Sequence, residues 1–200
     1  FRIVGDSRYD KPYFEYISKL IFDLFGVKTS KINHKNSNTS LLVIYSKNLW
    51  NFLNKNFKLK PGDKIKNNNV IPRKILDNDK LSIACLRGLI DTDGSVSRRG
   101  RKESQFCIQF TSHNKKLLNQ VNIIGKKLKI FTFSDKTGTG TNKWENIAKY
   151  FQLVGSSNPK HIIRFLLRKE GKSIYRDDLS DYFEQEKYKT LSLPFKLKGV

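Results

Sequence analysis

Hydrophobic and polar positions follow the same succession twice along this chain. Residues 1–26, FRIVGDSRYDKPYFEYISKLIFDLFG, begin with the alternation of a strand and continue with Asp10 as a predicted N-cap and Pro12 in the first helical turn. The helical stripe that follows consists of Tyr16, Ile17, Leu20, Ile21 and Leu24. Residues 106–130, FCIQFTSHNKKLLNQVNIIGKKLKI, repeat this strand and helix, and the second stripe consists of Leu117, Val121, Ile124 and Leu128.

Further landmarks recur after each of these helices. We predict strands at 41–46 and 150–157, short helices at 47–53 and 158–166, and a K-x-K segment leading to a proline at 64–72 and 187–194. The glycine-rich stretch 137–143, TGTGTNK, lacks the spacing of a phosphate loop and is predicted to be a hairpin loop. The sequence therefore predicts two copies of one α/β unit, an N-terminal repeat at 1–78 and a C-terminal repeat at 79–200.

One helix is predicted in the second repeat alone. Residues 79–93 follow a helical pattern with Asp79 as the N-cap and Gly94 in the C′ position. The small residues Ala84, Gly88 and Thr92 form one ridge, which predicts close packing against a partner helix and burial nearly all round. Because the chain contains no methionine and opens on a strand pattern, we expect an N-terminal segment with the matching helix to be missing.

The charge balance points to a polyanionic partner. The chain has 39 Lys and Arg against 18 Asp and Glu, a formal net charge of +21, which favours nucleic acid first and an anionic membrane surface second. It contains no apolar run of spanning length and no secretory leader pattern, so we expect a soluble, intracellular protein that is not secreted. Cys85 and Cys107 lie in apolar stretches without metal-ligand spacing and are predicted to be core residues.

Asp91 and Asp93 stand at the C-terminal end of the predicted helix, where local electrostatics disfavour carboxylates. A divalent cation at this end would reverse that preference, because Mg²⁺ is held by one or two carboxylates together with water and substrate phosphates. Such a site can hydrolyse a phosphodiester bond. D-x-D-G after a helix also occurs as a simple cap and turn with solvated acids, so spacing alone leaves both interpretations open. Asp91 suits the cap, and Asp93 is the better ligand candidate.

Residues 86–94, LRGLIDTDG, resemble the nine-residue signature of the LAGLIDADG homing endonucleases and match it at seven positions, with Arg87 and Thr92 in place of two alanines. The duplicated unit and the K-x-K segments extend this resemblance to essentially the whole chain. The chain resembles most closely the two-motif, single-chain members that are encoded in introns and inteins.

The resemblance implies a mixed α+β fold with two pseudo-symmetric αββαββα repeats, whose antiparallel sheets form a saddle over the major groove of double-stranded DNA. It also implies site-specific, metal-dependent cleavage of both strands with 3′ overhangs, with Mg²⁺ or another divalent cation as cofactor. Asp93 corresponds to the catalytic, metal-binding acid, and Gly88 to the glycine of the helix interface. Basic residues near the scissile phosphates correspond to Lys64, Lys66, Lys187 and Lys189, and water-ordering positions correspond, more weakly, to Ser7 and Ser112.

The first motif of the family pattern is absent from this chain. The resemblance therefore implies a second LAGLIDADG helix, supplied by an absent N-terminal segment or a companion chain, in an otherwise monomeric protein. Two other functions fit the same scaffold, a DNA-binding regulator that does not cleave and an RNA-binding intron maturase.

DNA contacts are predicted along the strands. Phosphate contacts by basic residues would give affinity, and side chains that reach base edges in the major groove would give specificity. The candidate residues are Arg2, Arg98, Arg99, Arg101, Lys102, Gln105 and Gln109.

Overall fold

A computed structural model describes residues 1–34, 37–62, 67–99, 105–172 and 179 of the chain. The first elements are β1 (Arg2–Asp6), α1 (Lys11–Phe25), β2 (Thr29–Asn33), β3 (Thr39–Ile44), α2 (Lys47–Phe57) and α3 (Arg73–Leu76). The next are α4 (Asp79–Asp93), β4 (Gly94–Arg99), β5 (Gln105–Thr111), α5 (Lys115–Lys127), β6 (Phe133–Ser134), β7 (Gly138–Thr141), α6 (Trp144–Leu153) and α7 (Pro159–Lys169). None of the described helices is long and apolar enough to cross a membrane.

The chain forms two compact units, one of residues Phe1–Asn56 with Asn158–Val200 and one of residues Phe57–Ser157. The first unit contains a three-stranded sheet in the order β1-β3-β2, and the second a four-stranded sheet in the order β4-β5-β7-β6. All strand pairs are antiparallel. The mixed α+β fold class is therefore confirmed. The division into repeats at residue 78 stays a prediction, because the units group residues by proximity in space.

The two sheets share one topology. The strands β5, β7 and β6 are arranged as β1, β3 and β2 are, and a helix, α5 or α1, connects the first strand of each set to the next. The last pair of β1 and β3 is Asp6 with Thr39, and the last pair of β5 and β7 is Thr111 with Gly138. Within the described residues, β4 has no counterpart in the three-stranded sheet.

Two sequence predictions about the second repeat were wrong. Residues 150–157 do not form a strand, because 144–153 is helix α6, whose buried residues Ile147, Tyr150 and Phe151 follow helical spacing. Residues 138–141, predicted to be part of a hairpin loop, form strand β7 in the interior of the sheet. Gly140 belongs there because a Cβ at this position would lie 2.0 Å from the carbonyl oxygen of Ile108. The glycines reflect close packing rather than a turn.

Helix α1 buries only part of the predicted stripe, since Ile17 is buried and Ile21 packs against the core cluster. Its buried residues are Tyr13, Phe14 and Ile17, which form a core cluster with Leu42 of β3. The predicted members Tyr16, Leu20 and Leu24 are exposed. The helix carries apolar residues on more than one face, so periodicity alone did not identify the face that packs on the sheet.

The helix caps also differ from the prediction. Asp10 precedes α1, but its carboxylate makes no cap hydrogen bond and instead accepts from the Asp6 amide at 2.8 Å and from Lys160 Nζ at 2.7 Å. Asn78, not Asp79, caps α4 by accepting from the Leu81 amide at 3.0 Å. Asp79 is the first helical residue and pairs with Lys127.

The core of the second unit lies where three helices meet the sheet. Helices α4, α5 and α6 each contact β5. The buried residues include Val96 of β4, Ile108 and Phe110 of β5, and Leu86 and Ile90 of α4. On α5 the buried residues are Leu118, Val121, Ile124 and Gly125, while Leu117 and Leu128 of the predicted stripe are half-buried. This core holds α4 against the start of β4.

The close approach at Gly140 predicts a loss of stability in Gly140→Ala. The new methyl group would overlap backbone atoms of β5, which cannot rotate away, so we expect the free energy of unfolding to fall by about 1 to 3 kcal/mol in urea denaturation. Gly88→Ala is the matched control, because its added Cβ meets no atom within 4 Å. Equal stabilities for Gly140→Ala and the parent would contradict the packing described for β7.

Candidate functional site

Helix α4 passes into strand β4 without a connecting residue. Gly94 follows Asp93 directly and already has extended backbone angles, φ −90° and ψ 179°. A Cβ at Gly94 would lie 2.6 Å from Ile90 Cα and 2.7 Å from the Ile90 carbonyl oxygen. Only glycine permits this contact, so its role is close approach rather than the left-handed C′ position that the sequence predicted. The junction fixes the end of α4 at the edge of the sheet.

Asp91 is a buried structural residue. It is 2% exposed, and its carboxylate accepts hydrogen bonds from the Ser156 hydroxyl and, at 2.7 Å, from the Ser157 amide. One turn earlier, Arg87 Nε donates to the Val154 carbonyl at 2.6 Å. Both residues thus fasten α4 to the segment after α6. No local pattern predicts a role for the two serines, because their contact with Asp91 depends on where α6 ends.

Asp93 has the opposite environment. It is the last residue of α4 and is exposed, although Asp91 lies only two positions earlier. The C-terminal end of a helix carries about half a negative charge, so a carboxylate here is disfavoured unless a cation joins it. The two acids of the motif therefore differ in burial, since Asp91 is buried and Asp93 is exposed.

The small-residue ridge of α4 is open. Ala84, Gly88 and Thr92 are exposed, and the Thr92 hydroxyl donates to the Gly88 carbonyl at 2.9 Å. A Cβ at Gly88 would meet no atom within 4 Å, and Leu81 on the same side is 49% exposed. The prediction that α4 is buried nearly all round was wrong for this chain, because no described element covers this face. Leu86 and Ile90 on the other side are fully buried, as expected.

The strand register separates the predicted DNA-contacting residues. Gln105 lies opposite Arg99, and Gln109 lies opposite Ser95, on one face of the β4–β5 pair. Arg98 lies opposite Phe106 and therefore belongs to the other face, with Val96. Gln105 is exposed, whereas Gln109 is 7% exposed, so a base contact by its amide would require the side chain to leave its present position.

The remaining candidates lie at strand ends or outside the described residues. Ser112 follows β5, and its hydroxyl oxygen accepts from the Asn114 amide at 3.1 Å. Ser7 follows β1 in the first unit, where its amide donates to the Asn38 carbonyl at 2.8 Å, and Arg2 is exposed on β1. The side chains of six candidates fall on undescribed residues, and that of a seventh, Arg99, is not described although its backbone is. The six are Lys64, Lys66, Arg101, Lys102, Lys187 and Lys189.

The residues near the end of α4 fit a hard divalent cation only in part. Among the described residues, no three His, Cys, Asp or Glu side chains come together to hold a metal. Asp93 supplies one exposed carboxylate, which suits the mode in which Mg²⁺ takes one or two carboxylates and completes its shell with water and substrate phosphate.

Burial raises the pKa of the Cys85 thiol to about 11, so this residue is a protonated thiol at neutral pH.

Comparisons with known proteins support the resemblance. A family model described as "LAGLIDADG-like domain" matches residues 80–165. A search of curated protein sequences found no significant match.

Several solved structures of the homing endonuclease I-DmoI have a similar fold. A complex with DNA and Mn shares 18% identity at a TM-score of 0.50, covering 78% of this chain and 81% of that one. A structure from a study of mesophilic variants gives 18% identity and a TM-score of 0.51, with coverage of 78% and 79%. A variant in complex with its target DNA in the presence of Mg shares 18% identity at a TM-score of 0.51, covering 78% of this chain and 80% of that one. At this identity the likeness establishes the fold.

The burial of the two acids predicts different effects of their removal on stability. Asp91→Ala would leave the buried Ser156 hydroxyl and the Ser157 amide without their acceptor, at a cost of about 1 to 3 kcal/mol or more in the free energy of unfolding. Asp93→Ala changes an exposed position and should alter stability by no more than about 0.5 kcal/mol. Thermal and urea denaturation measure both. A similar loss in the two variants would contradict the separate roles.

The open face of α4 predicts that Gly88→Ala stabilises the isolated chain. Alanine restricts the unfolded chain and favours the helix, and its methyl group meets no neighbour, so the free energy of unfolding should rise by about 0.5 to 1 kcal/mol. Circular dichroism in urea would measure the change. A destabilised Gly88→Ala would show that another element covers this face in solution.

Proposed function

We propose that this chain, which contains a LAGLIDADG homing endonuclease-like domain, acts as a site-specific, divalent-cation-dependent endonuclease on double-stranded DNA. The observation that carries the proposal is the separation of the two motif acids. The Asp91 carboxylate accepts hydrogen bonds inside the protein, whereas Asp93 is exposed at the negative end of α4 in a chain of net charge +21. In this proposal the Asp93 carboxylate binds a divalent cation that also contacts a phosphate of the DNA.

DNA affinity in this proposal comes from the basic side chains. A net charge of +21 exceeds what solubility requires, and each Lys or Arg that neutralises a phosphate releases counterions. Base reading is assigned to Ser95, Ser97 and Gln105, which share one face of β4 and β5, because Val96 and Ile108 on the other face lie in the core. On the assigned face Cys107 and Gln109 are buried, and Arg98 lies on the core face, so the register does not support a DNA contact by Arg98.

Cleavage in this proposal uses few groups of the chain. Asp93 holds the cation against the scissile phosphate, and a bound Mg²⁺ supplies Lewis acidity and an activated water. The hydroxyl oxygen of Ser112 accepts a hydrogen bond from the Asn114 amide, and in this proposal the Ser112 hydroxyl donates its hydrogen to an ordered water. Lys64, Lys66, Lys187 and Lys189 stabilise the charge that develops on the phosphate. These assignments rest on the family resemblance and on the residue chemistry.

The proposal includes a second motif helix. The ridge of Ala84, Gly88 and Thr92 is the one face of α4 where two helix backbones can approach closely, and it is open among the described residues. A second LAGLIDADG helix, from an N-terminal segment or a companion chain, would cover it and bring a second acid. Each acid then serves one DNA strand.

The proposal is tested with protein purified from its host, by measuring its cleavage of a randomised library of duplex DNA in the presence of Mg²⁺. We expect recovered ends with 3′ overhangs, and we expect Asp93→Asn to lower the cleavage rate at least about 100-fold while duplex affinity changes less than about threefold. Asp23→Asn is the matched control, because it makes the same chemical change at an exposed acid on α1. It should cleave like the parent.

The same assay separates the rival functions. Tight, salt-sensitive duplex binding without cleavage by the parent would favour the non-cleaving regulator. Affinity at least about tenfold higher for structured intron RNA than for duplex DNA, at equal salt, would favour the maturase. Equal cleavage rates for Asp93→Asn and the parent would contradict the proposed role of Asp93 in binding the cation.

A further inference from the structure

An apolar row, formed by Val4, Leu41 and Ile32, crosses the three-stranded sheet. Val4 of β1 lies opposite Leu41 of β3, and Leu41 lies opposite Ile32 of β2. Directly opposed residues of antiparallel strands direct their side chains to the same face, so these three side chains are neighbours. Val4 is 67% exposed and Ile32 is 43% exposed, while Leu41 between them is half-buried. The row therefore exposes branched aliphatic side chains at both of its ends.

The apolar row faces away from the core of the first unit. Ile3 packs against the core cluster that α1 forms with Leu42, and it lies opposite Leu42 in the sheet. Successive side chains of a strand alternate between the two faces, so Val4 and Leu41 point away from this cluster. Val43 lies on the same face as Leu41 but is buried. This face is therefore open at the row and not along the whole of β3.

The equivalent face of the second sheet is the one assigned to base reading. Counted from the last strand pair in each sheet, the apolar row is equivalent to Gln109, Gly140 and Phe133. Gln109 shares its face with Gln105, one of the residues assigned to base reading. These equivalents present no exposed aliphatic side chain, because Gln109 is buried, Gly140 has no side chain and Phe133 is aromatic and half-buried. The two sheets therefore differ in chemistry at equivalent positions.

Aliphatic side chains suit one group in the major groove of DNA. Thymine carries a C5-methyl group there, and the other three bases do not. The side chains of the apolar row have no hydrogen-bond donor or acceptor, so they cannot pair with the polar edges of the bases. Contact with a methyl group instead removes apolar surface of both partners from water. The row is therefore suited to thymine.

The surroundings of the apolar row favour DNA over an apolar protein surface. Arg2, two residues from Val4 on the same face, is exposed, and so is Ser30, two residues from Ile32 on the same face. An arginine at this position can contact a phosphate while the row faces the bases. The net charge of +21 attracts DNA over a long range and opposes close contact with a second copy of the chain.

We propose that the apolar row reads thymine methyl groups in the major groove of the target DNA. The part of the target that lies against the first sheet has thymines where the row meets it. Val4 and Ile32, the exposed ends of the row, are the specificity-determining residues, and Leu41 supports them. The inference rests on the proposed function, because it takes duplex DNA as the substrate, but it requires only binding and not cleavage.

The test compares thymidine with deoxyuridine, which lacks the C5-methyl group but pairs with adenine in the same way. Duplexes that bind the parent protein are first selected from a randomised library at fixed salt, without a divalent cation, so that bound duplexes stay intact. The recovered site is then made with deoxyuridine in place of every thymidine, in one half at a time. We expect the Kd to rise at least about fourfold for one half, which is the effect of removing one buried methyl-sized group.

A double variant, Val4→Ser with Ile32→Ser, tests whether the row causes this difference. We expect it to bind the thymidine and deoxyuridine duplexes with Kd values within about twofold of each other. Ile123→Ser is the matched control, because it makes the same change at a residue of α5 that is 53% exposed. It should keep the Kd ratio of the parent. Each ratio compares two duplexes on one variant, so a general loss of affinity cancels.

Three results would overturn the proposal. One is a recovered site without thymine, or a parent that binds thymidine and deoxyuridine duplexes equally in both halves. The second is a Kd ratio as large as that of the parent in the double variant or, if the double variant does not fold, in both single variants. The third is a dimeric parent that becomes monomeric in the double variant, since a second copy would then cover the row.

The same measurements separate this inference from the proposed function. A parent that selects no duplex from the library would overturn the proposed function and the reading of thymine together. Selective binding without cleavage in Mg²⁺ would overturn the nuclease alone and leave the reading of thymine to be decided by the Kd ratios.

Discussion

The direct passage of α4 into β4 is the constraint on which the second unit depends. With no residue between helix and strand, Gly94 must lie against the backbone of Ile90, and the position of Asp93 follows from the position of the strand. Ile90 and Leu86 are fully buried, so the core and the junction hold the helix at the same place. The hydrogen bonds of Asp91 to Ser156 and Ser157 complete the attachment. The backbone position of the exposed Asp93 is therefore set by the helix and the strand that meet at this junction.

The second unit shows what the first lacks among the described residues. The first sheet has the strands β1, β3 and β2 in the order of β5, β7 and β6, with α1 and α2 following as α5 and α6 do. It has no described equivalent of α4 or β4. Two open features match this difference, the small-residue ridge of α4 and the outer edge of β1.

The residues that precede α1 and α5, which follow equivalent strands of the two sheets, make different contacts. Asn114 precedes α5 and caps it, accepting from the amides of Lys116 and Leu117. Asp10, which precedes α1 in the same way, instead accepts from the Asp6 amide and pairs with Lys160 of α7. A carboxylate can serve a backbone amide and an ammonium group together, which an amide side chain cannot do with equal strength. Asp10 thus binds α7, whereas Asn114 caps α5.

The sequence by itself determined the helix that ends in Asp93, through hydrophobic periodicity, and the mixed α+β fold class, through the family resemblance of the LRGLIDTDG segment. It failed where a local pattern has two physical solutions. The glycines of 138–141 suit a turn or a close strand contact, and the apolar run at 150–154 suits a strand or the end of a helix. Only tertiary packing decides between them, since the contact with Ile108 exists only once the sheet forms. The same holds for the acids of the motif. Two carboxylates two residues apart are equivalent in sequence, and the contacts with Ser156 and Ser157 make Asp91 a buried structural residue, while Asp93 stays exposed.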